Sequence, residues 1–140
     1  MGSEMCIRDS DPVDSVLNDL SDLLSPGDIV LDGGNSHYQE TQRRSAAWAE
    51  KGLHFLGAGI SGGEKGALLG PSIMPSGNRK AYDEIGPFLA AIAAKDEQGQ
   101  ACCTYVGEQG SGHFVKMIHN GIEYVEMQLI AECYLSLIHI

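Results

Sequence analysis

Two short apolar segments, each followed by a glycine-rich turn, constrain the fold of this chain more than any other feature. Residues 28–31 (DIVL) run into the turn 32–36 (DGGNS), and residues 53–57 (LHFLG) open into the stretch 59–63 (GISGG). A polar segment over about 37–51 with helical character separates the two. Apolar runs of this length that end in glycine turns are typical of buried strands. The sequence therefore predicts strand, helix and strand in succession.

The same alternation continues on both sides of this unit. Residues 12–24 have apolar positions at a helical period, and residues 71–74 (PSIM) predict a third strand. A helix over about 79–94 and a last strand at 103–106 (CTYV) follow. Helices that alternate with short buried strands indicate an α/β fold with a mostly parallel sheet and helical cover.

Both glycine turns are candidate binding elements, because ligands bind beyond the carboxyl ends of the strands in open sheets of this kind. Asn35 carries both a donor and an acceptor. Ser61, Gly62 and Gly63 would let main-chain N–H groups approach a carboxylate or hydroxyl closely. Each turn alone is more typical of a plain connection, in which glycine and asparagine tolerate positive φ. Together they predict one crevice.

Residues 107–126 predict a helix with four polar side chains on one stripe, with the first and last of them within about 20° of the same azimuth. These are Lys116, His119, Asn120 and Glu123. A base and an acid held roughly 10 Å apart along the axis could bracket a small polyol acid. The alternative is a solvated face, which is the commoner meaning of lysine and glutamate seven residues apart.

Two details of this helix favour a ligand. Gly121 lies inside it, where glycine costs about 1 kcal/mol relative to alanine unless a bare backbone is needed. Gly110 and Gly112 leave the helix start free of bulk. Apolar residues on the opposite face are expected to pack inward on neighbouring elements, namely Phe114, Met117, Ile118, Ile122 and Val125.

The charge of the chain argues against a nucleic-acid partner. The formal net charge is −10, and only 9 Lys and Arg residues are present in 140. A phosphate backbone requires clustered cations, which this distribution does not offer. An anionic substrate would have to be held by local donors such as Lys116 and main-chain N–H groups.

The remaining composition indicates an ordinary globular domain without a metal centre. No apolar run approaches the ~20 residues that span a bilayer, and residues 1–10 lack the pattern of a secretory signal. We therefore expect no membrane partner and a cytoplasmic location. The four cysteines, Cys6, Cys102, Cys103 and Cys133, show no ligand spacing and are expected to be reduced thiols.

Three segments resemble the decarboxylating 6-phosphogluconate dehydrogenase family. They are residues 32–36, 57–78 (GAGISGGEKGALLGPSIMPSGN) and 110–130 (GSGHFVKMIHNGIEYVEMQLI). The resemblance runs from about Pro12 to Tyr134. The wider β-hydroxyacid dehydrogenase group shares the SGG turn and a G-x-G-x-x-x-K pattern, whereas HNGIEY and GPSIMPSGN point more narrowly to the 6-phosphogluconate enzymes.

The resemblance implies NADP-dependent oxidative decarboxylation of 6-phosphogluconate to ribulose 5-phosphate and CO₂, a step of the pentose phosphate pathway and of gluconate use. Lys116 matches the general base and Glu123 the acid that protonates C1. Substrate-contacting positions are matched by Asn35, Ser61, Gly62, Gly63, His119, Asn120 and Tyr124. Asn35 also matches a cofactor contact on the nicotinamide side, and the full-length family members imply a homodimer.

The chain departs from the family pattern at both ends. No G-x-G-x-x-G turn follows an early strand, so we expect the NADP phosphate site upstream of these residues. The implied division is a non-family segment 1–10, the C-terminal part of a Rossmann domain over 11–108, the first helix of an all-helical domain over 109–135, and a non-family tail 136–140. A partial Rossmann fold lacking its first βαβ units follows. We expect the isolated chain to be inactive; a non-catalytic truncated module and a dehydrogenase of another 3-hydroxy acid remain as alternatives.

Overall fold

The computed structural model describes residues 10–140, which form five helices and three strands. The predicted segment 1–10 and Cys6 thus lie outside the described residues, except for Ser10. In chain order the elements are α1 (Ser10–Ser21), β1 (Ile29–Asp32), α2 (Tyr38–Glu50), β2 (His54–Ser61), α3 (Gly63–Leu69), β3 (Ser72–Gly77), α4 (Arg79–Ile92) and α5 (Ser111–Leu137).

The strands form one sheet in the order β1-β2-β3. Strands β1 and β2 are parallel, with Asp32 opposite Gly57, whereas β3 runs antiparallel to β2. The predicted α/β class is confirmed, but the sheet is mixed. The reason is the connection between β2 and β3, which holds only the seven-residue α3, while a parallel crossover needs about a dozen or more residues.

Two further expectations about the strands differ from the structure. Strand β2 continues to Ser61 instead of ending at Gly57, and the following glycine-rich stretch contains α3, which the sequence did not predict. The predicted strand 103–106 is wrong: the Thr104 and Val106 N–H groups donate to β3, but these residues form an isolated bridge, between Ile73 and Cys103, and no regular strand. Pro75 has no N–H to donate where the next ladder bond would form, so regular pairing stops there.

Apolar residues cover both faces of the sheet. On one face Leu17, Trp48, Leu53 and Phe55 form a buried cluster between α1, α2 and β2. On the other, Ala58, Ile73, Leu89 and Ala93 pack under α4. Because successive side chains of a strand alternate between faces, Phe55, Gly57 and Gly59 share the first face. The glycines leave room there for α5.

Helix α5 lies on the sheet through contacts between bare backbones. A Cβ on Gly112 would come within 2.2 Å of the Met74 carbonyl oxygen, and one on Gly59 within 2.6 Å of the Gly112 carbonyl oxygen. The buried Ser76 hydroxyl, 2.9 Å from the Gly57 carbonyl oxygen and 2.8 Å from that of Gln109, joins the same contact. The start of α5 is therefore fixed on β2 and β3 at close to the shortest possible separation.

Residues 57–62 (GAGISG) have the glycine spacing of a dinucleotide-binding turn, G-x-G-x-x-G. The structure excludes that interpretation. Gly57 and Gly59 lie within β2 and face α2 and α5, where they permit close packing. These glycines thus supply no pyrophosphate turn.

The apolar face of α5 is exposed over the described residues. Phe114, Met117, Ile118, Ile122 and Val125, which were expected to pack inward, have exposed fractions between 43% and 60%. The second half of the helix, from Gly121 onward, has no buried residue. Within residues 10–140 no helix is both long and apolar enough to span a membrane.

We predict that Gly112→Ala lowers the free energy of unfolding by about 1–3 kcal/mol, because the added methyl group meets backbone that cannot move away. Urea unfolding followed by the fluorescence of Trp48, the single tryptophan, measures the change.

The matched control is Gly121→Ala in the same helix. A Cβ there has no neighbour within 4 Å, so the higher helix propensity of alanine should stabilise the protein, by up to about 1 kcal/mol. Equal unfolding midpoints for the two variants would contradict the role given to Gly112.

Candidate active site

A pocket of about 270 Å³ lies between the turn after β1, the start of α2 and one side of α5. Its lining residues are Asn35, His37, Tyr38, His113, Lys116, Met117, Asn120, Gly121 and Tyr124. Four of the predicted site residues are therefore together here: Asn35, Lys116, Asn120 and Tyr124. The wall is mostly apolar, with polar groups at a few points, as is usual for small-molecule sites.

A larger cleft of about 520 Å³ lies at the opposite end of the strands, where β2 begins. It is formed by the start of β2, the end of β3 and the first residues of α4, and it contains none of the predicted site residues. Ligands of open α/β sheets bind at the carboxyl ends of parallel strands. The smaller pocket, which lies at that edge, is accordingly the better candidate.

The pocket uses a helix stripe turned slightly from the predicted one. On α5 the lining positions follow His113 at intervals of three and four, through Lys116 and Asn120 to Tyr124. His119 and Glu123 belong to the neighbouring stripe and do not line the pocket. The tight contact of Gly112 with β3 fixes the rotation of the helix, which no periodicity in the sequence specifies.

His119, Asn120 and Glu123 form a polar group beside the pocket. The His119 Nδ1 atom lies 3.2 Å from the Asn120 Oδ1 atom and 3.8 Å from the Glu123 Oε2 atom. The side chains of His119 and Glu123 are 43% and 56% exposed. In this chain both are solvated, so a ligand would have to extend along α5 to reach them.

Lys116 stands between the pocket and the end of β2. Its side chain is half-buried, and its Cβ would lie only 2.6 Å from a Cβ placed on Gly59. The absence of a side chain at Gly59 thus allows Lys116 to leave the helix directly over the strand.

The predicted turn residues Ser61, Gly62 and Gly63 follow Gly59 at the same edge of the sheet but do not line the pocket. Ser61 is the last residue of β2, and the glycines have φ values of 142° and 58°. A Cβ on Gly62 would approach the Gly66 Cα within 2.8 Å. Glycine is needed there to turn the chain into α3.

Asp32, the last residue of β1, holds the turn that carries Asn35. The Asp32 carboxylate accepts hydrogen bonds from the Gly34 N–H (2.9 Å) and the Ser36 hydroxyl (2.6 Å). The buried Arg44 guanidinium lies 4.0 Å from the same carboxylate. Asn35 itself is exposed and lines the pocket.

His113 is the most informative residue that the sequence did not single out. It is 2% exposed, and its Nδ1 atom lies 2.7 Å from the hydroxyl oxygen of the buried Thr41. Burial lowers the pKa of His113, with Asp32 opposing and Arg44 adding a smaller effect. The ring is therefore neutral at pH 7. The sequence offered one signal for this residue, its position one turn before Lys116. A histidine at that spacing could equally be an ordinary buried residue.

Two other residues of the lining, His37 and Tyr38, were also missed, because nothing in a polar helix start distinguishes them. His37 caps α2, and the Tyr38 ring packs edge-on against Phe114 at 5.2 Å. The described residues contain no group of three or more His, Cys, Asp or Glu side chains that could hold a metal ion.

Comparison with known proteins identifies two matching family descriptions. The "NAD binding domain of 6-phosphogluconate dehydrogenase" matches residues 4–107, and the "6-phosphogluconate dehydrogenase, C-terminal domain" matches residues 112–140.

Individual relatives agree with these matches. The chain is 59% identical over 123 residues to a decarboxylating 6-phosphogluconate dehydrogenase of Bacillus licheniformis, covering 88% of this chain and 26% of the relative. It is 58% identical, with the same coverage, to an NAD(+)-dependent, decarboxylating 6-phosphogluconate dehydrogenase of Bacillus subtilis.

Among solved structures, the chain resembles 6-phosphogluconate dehydrogenase of Plasmodium falciparum, described in its apo form and in complexes with NADP+ and with 6-phosphogluconate. The TM-score is 0.85 at 42% identity, covering 91% of this chain and 27% of that one. The chain thus spans about a quarter of the length of the curated relatives it matches.

We predict that His113 makes the folded state less stable as the solution is acidified. Because its folded-state pKa is lowered, the unfolded state binds more protons below its pKa of about 6.5. Stability should fall as pH drops through that value and below.

The measurement is urea unfolding of the wild type and of His113→Gln between pH 7.5 and 5. The stability advantage of the wild type should shrink toward acid, since glutamine does not titrate. An advantage independent of pH would mean that the ring binds protons equally in both states.

Proposed function

Because the chain belongs to the 6-phosphogluconate dehydrogenase family, we propose that the complete enzyme containing it oxidises and decarboxylates 6-phosphogluconate to ribulose 5-phosphate and CO₂. The observation that carries the proposal is the pocket in which Asn35, Lys116, Asn120 and Tyr124 meet at the carboxyl edge of β1 and β2. A base, two amides and a phenol around an apolar wall suit a polyhydroxylated acid next to a nicotinamide ring.

The proposed cofactor is NADP, in a family whose domain is described as NAD-binding. A solved relative is described in complex with NADP+, although another relative is named NAD(+)-dependent. The Asn35 amide beside Tyr38 and Met117 fits the nicotinamide end of a dinucleotide. The phosphates do not fit residues 57–62, in which Gly57 and Gly59 pack against α2 and α5. A bound dinucleotide supplies the hydride acceptor.

In the proposed reaction Lys116 takes the proton of the substrate 3-hydroxyl as hydride leaves C3. This step requires a neutral amine. The resulting 3-keto acid loses CO₂. The protonated Lys116 then stabilises the negative charge that develops on the 3-oxygen.

Glu123 is proposed to protonate C1 of the enediol that remains. It lies two turns from Lys116 on α5, roughly 10 Å along the axis, so the sugar chain would lie parallel to the helix. To act as the acid, the carboxyl must carry a proton. The proposed substrate contacts are Asn35, Ser61, Gly62, Gly63, His119, Asn120 and Tyr124.

The remaining expectations are proposals about the whole protein. The division near residue 108 is supported by family matches that end at 107 and begin again at 112. A homodimer and a cytoplasmic location follow from the resemblance to the family. We expect the chain alone to be inactive, since residues 10–140 provide no pyrophosphate turn.

The deciding experiment is turnover of 6-phosphogluconate by the complete enzyme, with NADPH and CO₂ measured together. Equal amounts of both products are expected. NADPH without CO₂ would indicate a simple dehydrogenase of a 3-hydroxy acid, and no NADPH from any 3-hydroxy acid would contradict catalysis altogether.

We predict that Lys116→Met lowers kcat at least 10³-fold while NADP binding is unchanged, because only the general base is removed. Steady-state kinetics and calorimetric titration with NADP measure the two effects. Lys80→Met at the exposed start of α4 is the matched control and should retain wild-type kinetics. Similar losses for both variants would contradict the assignment.

Glu123→Gln should lower kcat by about 10²-fold, the usual contribution of a general acid, with little effect on stability because the side chain is exposed. The keto intermediate should still decarboxylate, since Lys116 remains. A large drop in the unfolding temperature instead would mean that Glu123 is structural.

A further inference from the structure

A buried histidine ring is held by three elements at the base of the pocket. His113 lies on α5 one turn before Lys116, and its Nδ1 atom is 2.7 Å from the Thr41 hydroxyl oxygen on α2. A Cβ on Gly57 would lie within 2.9 Å of the same nitrogen, so the ring rests directly on the backbone of β2. The ring therefore fixes α5 relative to both α2 and the sheet.

The Thr41 hydroxyl joins the ring to the residue that follows the turn after β1. Its oxygen lies 2.7 Å from the His113 Nδ1 atom and 3.3 Å from the His37 carbonyl oxygen, to which the hydroxyl donates. The ring Nε2 atom is buried and has no hydrogen-bond partner among the described residues.

The ring and the turn after β1 line one pocket, in which His113, Asn35 and His37 meet. His37 directly follows that turn, so the contact of Thr41 with both His37 and the ring ties α5 to the end of the turn. The Asp32 carboxylate in the same turn also favours a proton on the ring.

We propose that His113 is a positioning residue, which holds the turn bearing Asn35 in register with the helix bearing Lys116. The inference rests on the proposed function, since this register matters to catalysis only if the two residues act on one ligand. Thr41 transmits the constraint to His37 at the end of the turn, and the Asp32 carboxylate stiffens the turn by binding the Gly34 N–H and the Ser36 hydroxyl on either side of Asn35. A change in the ring therefore shifts the whole turn.

The size of the effect follows from the sensitivity of catalysis to geometry. A displacement of about 1 Å between reacting groups can cost ~10²-fold in rate. An apolar ring of similar size at position 113 would fill the same space without the Thr41 hydrogen bond. We expect such a protein to fold with the turn bearing Asn35 displaced relative to the helix bearing Lys116.

The test uses His113→Phe in the complete enzyme. We expect kcat to fall by about 10- to 100-fold, with the KM for NADP within about twofold of wild type. The deuterium isotope effect with 3-deuterated 6-phosphogluconate should rise, because misalignment slows hydride transfer. Wild-type kcat and isotope effect would overturn the inference.

Thr41→Val provides a second, independent variant, since it removes the hydroxyl that orients the ring without touching the pocket lining. It should lower kcat in the same direction, and the double variant should be no more than about twofold slower than His113→Phe, because coupled residues are not additive. Additive losses would contradict the pairing. If His113→Phe does not fold, the kcat and isotope effect of Thr41→Val decide alone.

Ser76→Ala is the matched control for loss of packing. Its buried hydroxyl also joins the start of α5 to the sheet, but away from the pocket. It should lower the unfolding temperature while leaving the isotope effect unchanged. An isotope effect raised as much as in His113→Phe would mean that any loosening of α5 suffices, which would overturn the specific role of the ring.

Hydrogen exchange separates this inference from the proposed function. Amides of residues 32–36 should exchange at least fivefold faster in His113→Phe than in Ser76→Ala. If the wild type fails to turn over 6-phosphogluconate, the proposed function fails, and exchange still decides whether His113 holds the turn. Unchanged exchange in an active enzyme would overturn the inference alone.

Discussion

The close contact between the start of α5 and the sheet is the constraint on which the rest of the structure depends. A helix normally packs at a distance set by side chains, but here Gly112 meets the Met74 carbonyl oxygen and Gly59 meets Gly112, so backbone contacts backbone. This contact fixes the height of the helix above β2, its rotation about its own axis and the direction in which Lys116 leaves it. That rotation decides which residues of α5 line the pocket, because successive residues of a helix are about 100° apart around its axis.

The directions of the strands in the sheet also determine where the pocket forms. Parallel β1 and β2 bring the turns after both strands to one edge, and the short connection through α3 then returns the chain as antiparallel β3. That reversal places the backbone of β3 under the start of α5. A longer crossover would instead have taken the chain to the far edge of the sheet. Pro75 ends regular pairing on the other side of β3. The result is a small mixed sheet with the pocket at the carboxyl end of β1.

Much of this arrangement was predictable from local pattern. The positions of β1, α2 and α4 and the start of α5 agree with the sequence to within a few residues, because apolar periodicity and glycine stops are properties of neighbouring residues. The pocket residues Asn35, Lys116, Asn120 and Tyr124 were among the candidates. The direction of β3, the length of β2 and the helix α3 were not predictable in this way, since each depends on which segments meet across the sheet. The roles of the site residues remain proposals.

The sequence by itself determined the α/β class, the strand-to-turn signals and the family, because these are recorded in composition, spacing and motif. Only the tertiary structure decided which polar residues of α5 face the pocket: His113 and Tyr124 line it, while His119 and Glu123 lie beside it. The tertiary structure also decided that the GAGISG glycines pack against helices and bind no phosphate. The physical reason is the same in both cases. Spacing along a chain fixes angles between residues of one element, whereas the rotation of that element is set by contacts with residues far away in sequence.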